Sequence, residues 1–229
     1  MAIEKNVDAA EECAVILPYE HSEEYFIEDL GVIEKKPVYA FAKRALDIFF
    51  SLFFFLLLLV PMLIIALLVK CTSKGSVLYK QERLGLNGVR FDVLKFRTMK
   101  MEAEEDGIRW SGGKDDPRIT GFGRILRNTH LDELPQLWCI LSGKMTLVGP
   151  RPEREVYYNV FEQYIHGFHE RLKVKPGLTG LAQVKGGYFL RPEEKVVYDV
   201  DYIKKRSLWL DIKIIFMTIG VVFRREGVK

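Results

Sequence analysis

The chain has 229 residues, enough to bury a core without disulfides or metals to staple it. At 48% hydrophobic and 28% charged it is not a disordered chain, and three widely spaced cysteines (Cys13, Cys71, Cys139) argue against a disulfide framework or a cysteine-based zinc site. The net charge of +3 is a sum of unlike parts: residues 1–37 hold ten Asp/Glu against three Lys/Arg, a balance of −7, which leaves +10 on the other 192 residues.

In chain order, residues 1–38 read as an acidic extension, mostly flexible or loosely docked, with turn signals at Pro18, Gly31 and Pro37. From Ile48 to Val69 run 22 uncharged residues, interrupted only by Ser51 and Pro61. A straight helix of that length rises roughly 33 Å, enough for a bilayer core of about 30 Å. The run lies too far from the N-terminus for a signal peptide. Pro61 divides it into halves rising about 20 Å and 12 Å, neither of which crosses alone, so a kink or break is expected there. Basic residues flank both sides, Lys43 and Arg44 before and Lys70, Lys74 and Lys80 after, and such flanks prefer the cytoplasm. A helix that enters, turns at Pro61 and leaves satisfies both observations. A bitopic helix with a mild proline kink is the alternative.

Val77–Tyr79 and Val89–Leu94 read as strands joined around Gly85-Leu86-Asn87-Gly88, and Met101–Pro117 as a long polar loop. Arg118–Asn128 has helical spacing, and a short helix set by Pro135 is expected from about Glu133 to Leu141. A longer helix opens at Pro152, with Val156, Val160, Phe161, Tyr164, Ile165 and Phe168 on its buried face, and stops before Pro176-Gly177. Pro192–Arg206 and Ser207–Phe223 close the chain as helices. The last is either a core helix or one lying on a bilayer surface, with Trp209 at the headgroups.

The densest chemistry lies between Arg124 and Glu153. Asp132 and Glu133 stand at a helix start, where acidic residues ordinarily complement the helix dipole. Around them Arg124, Arg127, His130, Lys144 and Arg151 have few acidic partners, a composition suited to phosphate groups. An Asp ionised among arginines is a candidate nucleophile or metal ligand. Lys95-Phe96-Arg97 forms a second cationic cluster, and Pro150 and Pro152 restrain Arg151 between them. His166 and His169 could share a metal but lack an obvious third ligand. There is no P-loop or Rossmann fingerprint, and no aromatic-interleaved basic motif of the kind that binds nucleic acid, so no nucleic-acid partner is expected.

Taken in order, these pieces resemble the monotopic phosphoglycosyl transferases, bacterial sugar transferases that start glycoconjugate assembly on polyprenyl phosphate. The matching text is Lys43-Arg44-Ala45-Leu46-Asp47, Lys95-Phe96-Arg97-Thr98-Met99, Asp116-Pro117-Arg118-Ile119-Thr120 and Leu131-Asp132-Glu133-Leu134-Pro135-Gln136-Leu137. It continues with Val148-Gly149-Pro150-Arg151-Pro152-Glu153 and the stretch Lys175–Val184, and the resemblance covers about residues 39–223. It implies an α+β fold, predominantly helical: a re-entrant membrane helix broken at a proline (39–74), then a cytoplasmic catalytic domain (75–229) with short antiparallel strands and amphipathic interfacial helices. It also implies transfer of a sugar 1-phosphate from a UDP-sugar to undecaprenyl phosphate, with release of UMP, at the cytoplasmic face of the bacterial inner membrane. By the same resemblance Asp132 is the nucleophile and a ligand of a required Mg²⁺, and Glu133 orients the metal or Asp132. Lys95, Arg97, Arg127 and Arg151 would bind substrate phosphates. Larger members carry extra membrane spans before this core, and here only the soluble extension is expected. Short members often have Ser-Pro at the break where this chain has Val60-Pro61. The transferred sugar and the oligomeric state, a homodimer among the options, stay open. A bitopic membrane-anchored scaffold or lipid-binding protein without catalysis is the rival reading.

Overall fold

A computed structural model describes residues 23–101, 103, 116–186 and 190–224. The expected loop Met101–Pro117 and residues 1–22 of the acidic extension therefore lie largely outside the described residues. The described chain opens with a short strand, β1 (Tyr25–Phe26), followed by two helices, α1 (Pro37–Leu57) and α2 (Leu59–Thr72), bent by 61° to each other. Among the described residues no single helix is long and apolar enough to cross a membrane, but this bent pair passes that test together. The break falls at Leu58 (φ −94°, ψ 6°), not at Pro61 where the sequence put it. The displacement has a direct cause. Pro61 has no N–H to give to the Leu57 carbonyl and its ring crowds that oxygen, so the distortion lands one turn before the proline. Pro61 itself sits in the first turn of α2, where its missing donor costs nothing.

The charged residues at the base of α1 are bound inside the molecule. Lys43 pairs with Asp211 at 2.7 Å, Arg44 donates to the carbonyls of Ile140 and Leu141, and buried Asp47 accepts from Thr146 Oγ1 and the Leu147 N–H. The far end of α2 is tied down as well. Ile65 and Val69 pack with Phe96 and Leu126, and Arg97 donates to both the carbonyl and the hydroxyl of Ser73. Both ends of the bent pair are thus anchored to one body, while Phe49, Leu56, Val60, Leu63 and Leu67 around the bend stand exposed.

After α2 comes an antiparallel hairpin of β2 (Leu78–Leu84) and β3 (Arg90–Phe96), closing over a turn in which Asn87 has φ 55°. Asn tolerates that left-handed conformation better than most side chains. Next are α3 (Gly121–Asn128), a 3-10 turn (Leu131–Glu133), α4 (Gln136–Leu141) and β4 (Thr146–Val148). The long helix expected from Pro152 is corrected to a short α5 (Glu155–Phe161), a strand β5 (Ile165–His166) and a 3-10 segment (Phe168–Lys173). Phe161, Tyr164, Ile165 and Phe168 are buried as their spacing predicted. However, β5 pairs with β1, and Gly167 at φ 94° turns the chain out of any helix.

The chain then forms β6 (Gly177–Thr179), α6 (Leu181–Lys185), α7 (Pro192–Lys205) and α8 (Leu208–Arg224). The architecture is mixed helix and short strand, as expected, but of the three described strand pairs only β2–β3 is antiparallel. The β1–β5 and β4–β6 pairs are parallel, and each spans the long connection that parallel pairing requires. Residues 23–36 lie along the body: Tyr25 N–H donates to Tyr164 O, Leu30 N–H to buried Glu170, and Ile33 packs beside Ile203 and Ile214. In α8, Ile214 and Asp211 are buried, whereas Trp209 (75% exposed), Phe216 and Ile219 form an outer apolar face.

Candidate active site

Three motifs build the site. The first two close on each other. Ile119 bridges Met99, the Thr120 N–H donates to Thr98 O, and Asp116 holds Arg118 at 2.6 Å. Thr120 then caps α3 by accepting from the Gly123 N–H. A Cβ at Gly123 would lie 2.1 Å from the Thr98 carbonyl, so only glycine lets α3 come this close. The approach sets Arg127, whose Nε donates to Thr98 Oγ1 at 2.9 Å.

From α3 the chain passes through His130 in a left-handed conformation (φ 56°) directly into Leu131-Asp132-Glu133. Glu133 Oε1 accepts from Lys95 Nζ at 2.7 Å and Arg151 Nη2 at 2.6 Å, and Arg151 Nη1 reaches Oε2 at 3.4 Å. Burial works against the Glu133 charge, but Arg151 and Lys95 outweigh it and hold the carboxyl well below its ordinary range. Asp132 is 7% exposed, and among the described residues no hydrogen bond or ion pair reaches its carboxylate. Burial therefore prevails over the nearby positive charges of Lys95, Arg127 and Arg151, and its pKa is pushed up to about 6. Burial also lowers the pKa of His130, leaving it neutral at neutral pH.

The third motif carries Arg151. Backbone crossings hold its loop against β6: the Gly149 N–H donates to Thr179 O and the Gly177 N–H to Pro150 O. A Cβ at Gly177 would lie 2.1 Å from Gly149 N, which explains a glycine there. Behind the loop, Arg171 donates to the carbonyl of Arg151 at 2.9 Å and Arg83 to that of Pro152 at 3.2 Å.

The structure thus brings together Lys95, Asp132, Glu133 and Arg151, with Arg127 beside them in the electrostatic field of Asp132. Arg97 is engaged elsewhere, on Ser73 and Met101. His166 and His169 do not share a helix; they face Glu24 and Glu162 on either side of the turn at Gly167. Sequence reasoning missed Thr98, Arg83, Arg171 and buried Gln136, whose Nε2 has no hydrogen-bond partner among the described residues. Thr98, Gln136 and the Gly177 loop lie inside the matching motifs without an assigned role; Arg83 and Arg171 leave no local signal.

Among the described residues no three His, Cys, Asp or Glu side chains cluster to hold a metal. A magnesium ion still fits this donor set. Mg²⁺ is ordinarily bound by one or two carboxylates plus substrate phosphates, and Asp132 offers a carboxylate that no protein cation already occupies.

A family model described as bacterial sugar transferase matches residues 38–225. The chain is 37% identical over 203 residues to a UDP-N-acetylgalactosamine-undecaprenyl-phosphate N-acetylgalactosaminephosphotransferase of Aeromonas hydrophila, covering 87% of this chain and 48% of that one. It is 42% identical over 182 residues to a UDP-glucose:undecaprenyl-phosphate glucose-1-phosphate transferase of Escherichia coli K12, covering 77% and 39%. A Caulobacter vibrioides protein bearing the latter name is 39% identical over 77% of this chain and 68% of its own length. The chain spans less than half the length of the first two relatives.

Proposed function

The chain belongs to the bacterial sugar transferase family, and from that membership and the site geometry we propose that it transfers a sugar 1-phosphate from a UDP-sugar to undecaprenyl phosphate. The observation that carries the mechanism is the contrast inside one dipeptide. Glu133 binds two cations, whereas Asp132 beside it is buried and, among the described residues, unpaired. An anion kept in that state is a nucleophile awaiting an electrophile, not a structural counter-ion.

In this reading Asp132 attacks the phosphorus that bears the sugar. An oxygen–phosphorus bond forms at its carboxylate, the bond to UMP breaks, and UMP leaves with the electron pair. An oxygen of the lipid phosphate then attacks the resulting acyl phosphate, returning Asp132 as a free carboxylate and giving the polyprenyl diphosphosugar. Two steps let a soluble donor and a membrane-bound acceptor use one nucleophile in turn. Glu133 holds Lys95 and Arg151 toward the diphosphate, and Arg127, fixed by Thr98, adds charge on the Asp132 side. When bound, Mg²⁺ on Asp132 and the substrate phosphates would neutralise charge that otherwise repels the attacking anion.

The bent pair α1–α2 is proposed to dip into the cytoplasmic leaflet of the inner membrane and return. The support is mechanical as well as electrostatic, since the base of α1 and the end of α2 are both bonded to the same body. The outer face of α8 would rest at the headgroups with Trp209. Tags at residues 1 and 229 should then both be shielded from outside in intact cells; opposite accessibility would break the re-entrant reading.

The direct test is incubation of the full chain in lipid nanodiscs with a panel of UDP-sugars and Mg²⁺, without lipid acceptor. One sugar phosphate should become bound per chain, with an equal amount of UMP released. Product formation by Asp132→Asn at the normal rate would remove Asp132 as nucleophile. The relatives' names include glucose and N-acetylgalactosamine, so the panel should hold both.

A further inference from the structure

The first turns of α1 carry three charged side chains that grip both arms of the site. Lys43 Nζ donates to Val148 O at 2.9 Å, and Asp47 accepts from Thr146 Oγ1 at 2.8 Å and from the Leu147 N–H at 2.9 Å. Those three partners are the whole of β4, which runs through Gly149-Pro150 into Arg151. Tyr202 backs the same point: its hydroxyl lies 3.0 Å from Val148 O and 2.8 Å from Asp211, the carboxylate that also holds Lys43. On the other arm, Arg44 donates to Ile140 O at 2.6 Å and Leu141 O at 2.7 Å, the last carbonyls of α4. That helix follows Asp132-Glu133 directly.

These contacts close a ring: α1 to β4, β4 to Arg151, Arg151 to Glu133, Glu133 through α4 back to α1. The links are buried or half-buried contacts. The link that lies in the site is the Arg151–Glu133 contact, where the Arg151 side chain is 29% exposed. Simple cohesion does not need charges here, because apolar side chains would join a helix to a strand without the desolvation cost of buried Lys and Asp. Directional bonds to three consecutive β4 residues instead specify where the strand stops along α1. We propose that Lys43, Arg44 and Asp47 are positioning residues, and that α1, seated in the membrane, sets the placement of Arg151 relative to Asp132 and Glu133. A shift of α1 is passed through β4 on one arm and α4 on the other to the Arg151–Glu133 contact, where the two arms meet. The inference rests on the transferase reading for its kinetic consequence, but not for its structural one.

The test uses the full chain in nanodiscs and compares Lys43→Met, Lys43→Arg and Thr146→Val. Lys43→Met should lower kcat for UMP release about tenfold or more while KM for the UDP-sugar moves less than about threefold, since a misplacement near 1 Å can cost about a hundredfold. On an Arg151→Gln background the same change should cost less than about twofold, because Lys43 acts through Arg151. Exchange of the Gly149 and Arg151 amides should quicken about tenfold in Lys43→Met and recover in part in Lys43→Arg. If Lys43→Met does not fold, Thr146→Val, which removes one hydroxyl, is read in the same way. Losses that multiply with that of Arg151→Gln, or exchange at Gly149 and Arg151 that does not respond, overturn the proposal. Absence of UMP release from the unmodified chain with every UDP-sugar, while exchange still responds, overturns the transferase reading and leaves the positioning role standing.

Discussion

Two layers of charge lie one behind the other, and they are paired differently. In the rear layer four buried or half-buried carboxylates each have a cation: Asp199 with Arg171 at 2.6 Å, Asp211 with Lys43 at 2.7 Å, Glu153 with Arg83 at 2.8 Å, Glu170 with Lys173 at 2.7 Å. In the front layer Glu133 takes both Lys95 and Arg151, and Asp132 takes neither. Those four follow the rule that buried charges are paired, and buried Asp47 is compensated by hydrogen bonds from Thr146 and Leu147, whereas among the described residues Asp132 has neither. Such a break costs stability, so it persists where the unpaired group has work that pairing would prevent. Rear pairs also serve the front, since Arg171 and Arg83 hold the two carbonyls at and after Arg151.

The contrast can be broken from either side. The largest effect is expected from Asp132→Asn, which should lower turnover more than about a thousandfold, as loss of a nucleophile does. The same change should stabilise the folded protein. Raised from an ordinary value of 3.8 to about 6, the Asp132 carboxyl holds its proton more tightly when folded. Its penalty is absent below about pH 4, grows between 4 and 6, and is complete above 6. At about 1.4 kcal/mol per unit, the variant should gain roughly 1–3 kcal/mol over the parent at pH 7.5 and nothing near pH 3.5, measured by denaturant unfolding of metal-free protein. Arg171→Met does the reverse. It leaves Asp199 buried and unpaired, and should cost about 3–5 kcal/mol of unfolding free energy. Glu133→Gln lies between, since the amide keeps hydrogen-bonding geometry for one cation but loses the charge. A fall in kcat/KM of roughly 10- to 100-fold is expected, with little loss of stability.

Motifs that are local along the chain are legible in the sequence itself. The hairpin around Gly85–Gly88, the helices after Pro135 and Pro192, and the charged residues Lys95, Asp132, Glu133 and Arg151, each within its own motif, announce themselves by turn residues, spacing or charge. What stays hidden depends on long-range pairing. Nothing near Ile165 says that this helix-spaced apolar residue will pair in a parallel strand with Tyr25, and nothing near Arg171 says that its guanidinium supports Arg151. The flanking charges mislead for the same reason. Lys43 and Arg44 look like topological signals in the sequence, yet in the fold each is bonded to a partner about a hundred residues or more away. The proline is legible, but its effect falls one turn upstream at Leu58, because a missing N–H is felt by the acceptor it would have served.

The smallest effect is also the sharpest test of how the two layers divide the titrating groups. With Asp132 pushed up to about 6 and Glu133 held well below its ordinary range, only Asp132 should change charge near neutrality. Attack requires its ionised form, so kcat/KM for the UDP-sugar in single-turnover UMP release should be level above about pH 7 and fall toward tenfold per unit below 6. From pH 7.5 to 5 the total loss is about tenfold. His130 is the other group whose ordinary range invites suspicion, but burial lowers its pKa and its neutral form already prevails on the plateau. His130→Asn keeps a residue that tolerates φ 56° and should leave the acidic limb where it is, whatever it does to the height of the plateau. Glu133→Gln frees Lys95 and Arg151 to act on Asp132 and should move the limb to lower pH, because the carboxylate then gains the cations it lacks. A limb that follows His130, or one that ignores Glu133, would mean that the unpaired carboxylate is not the group that must ionise.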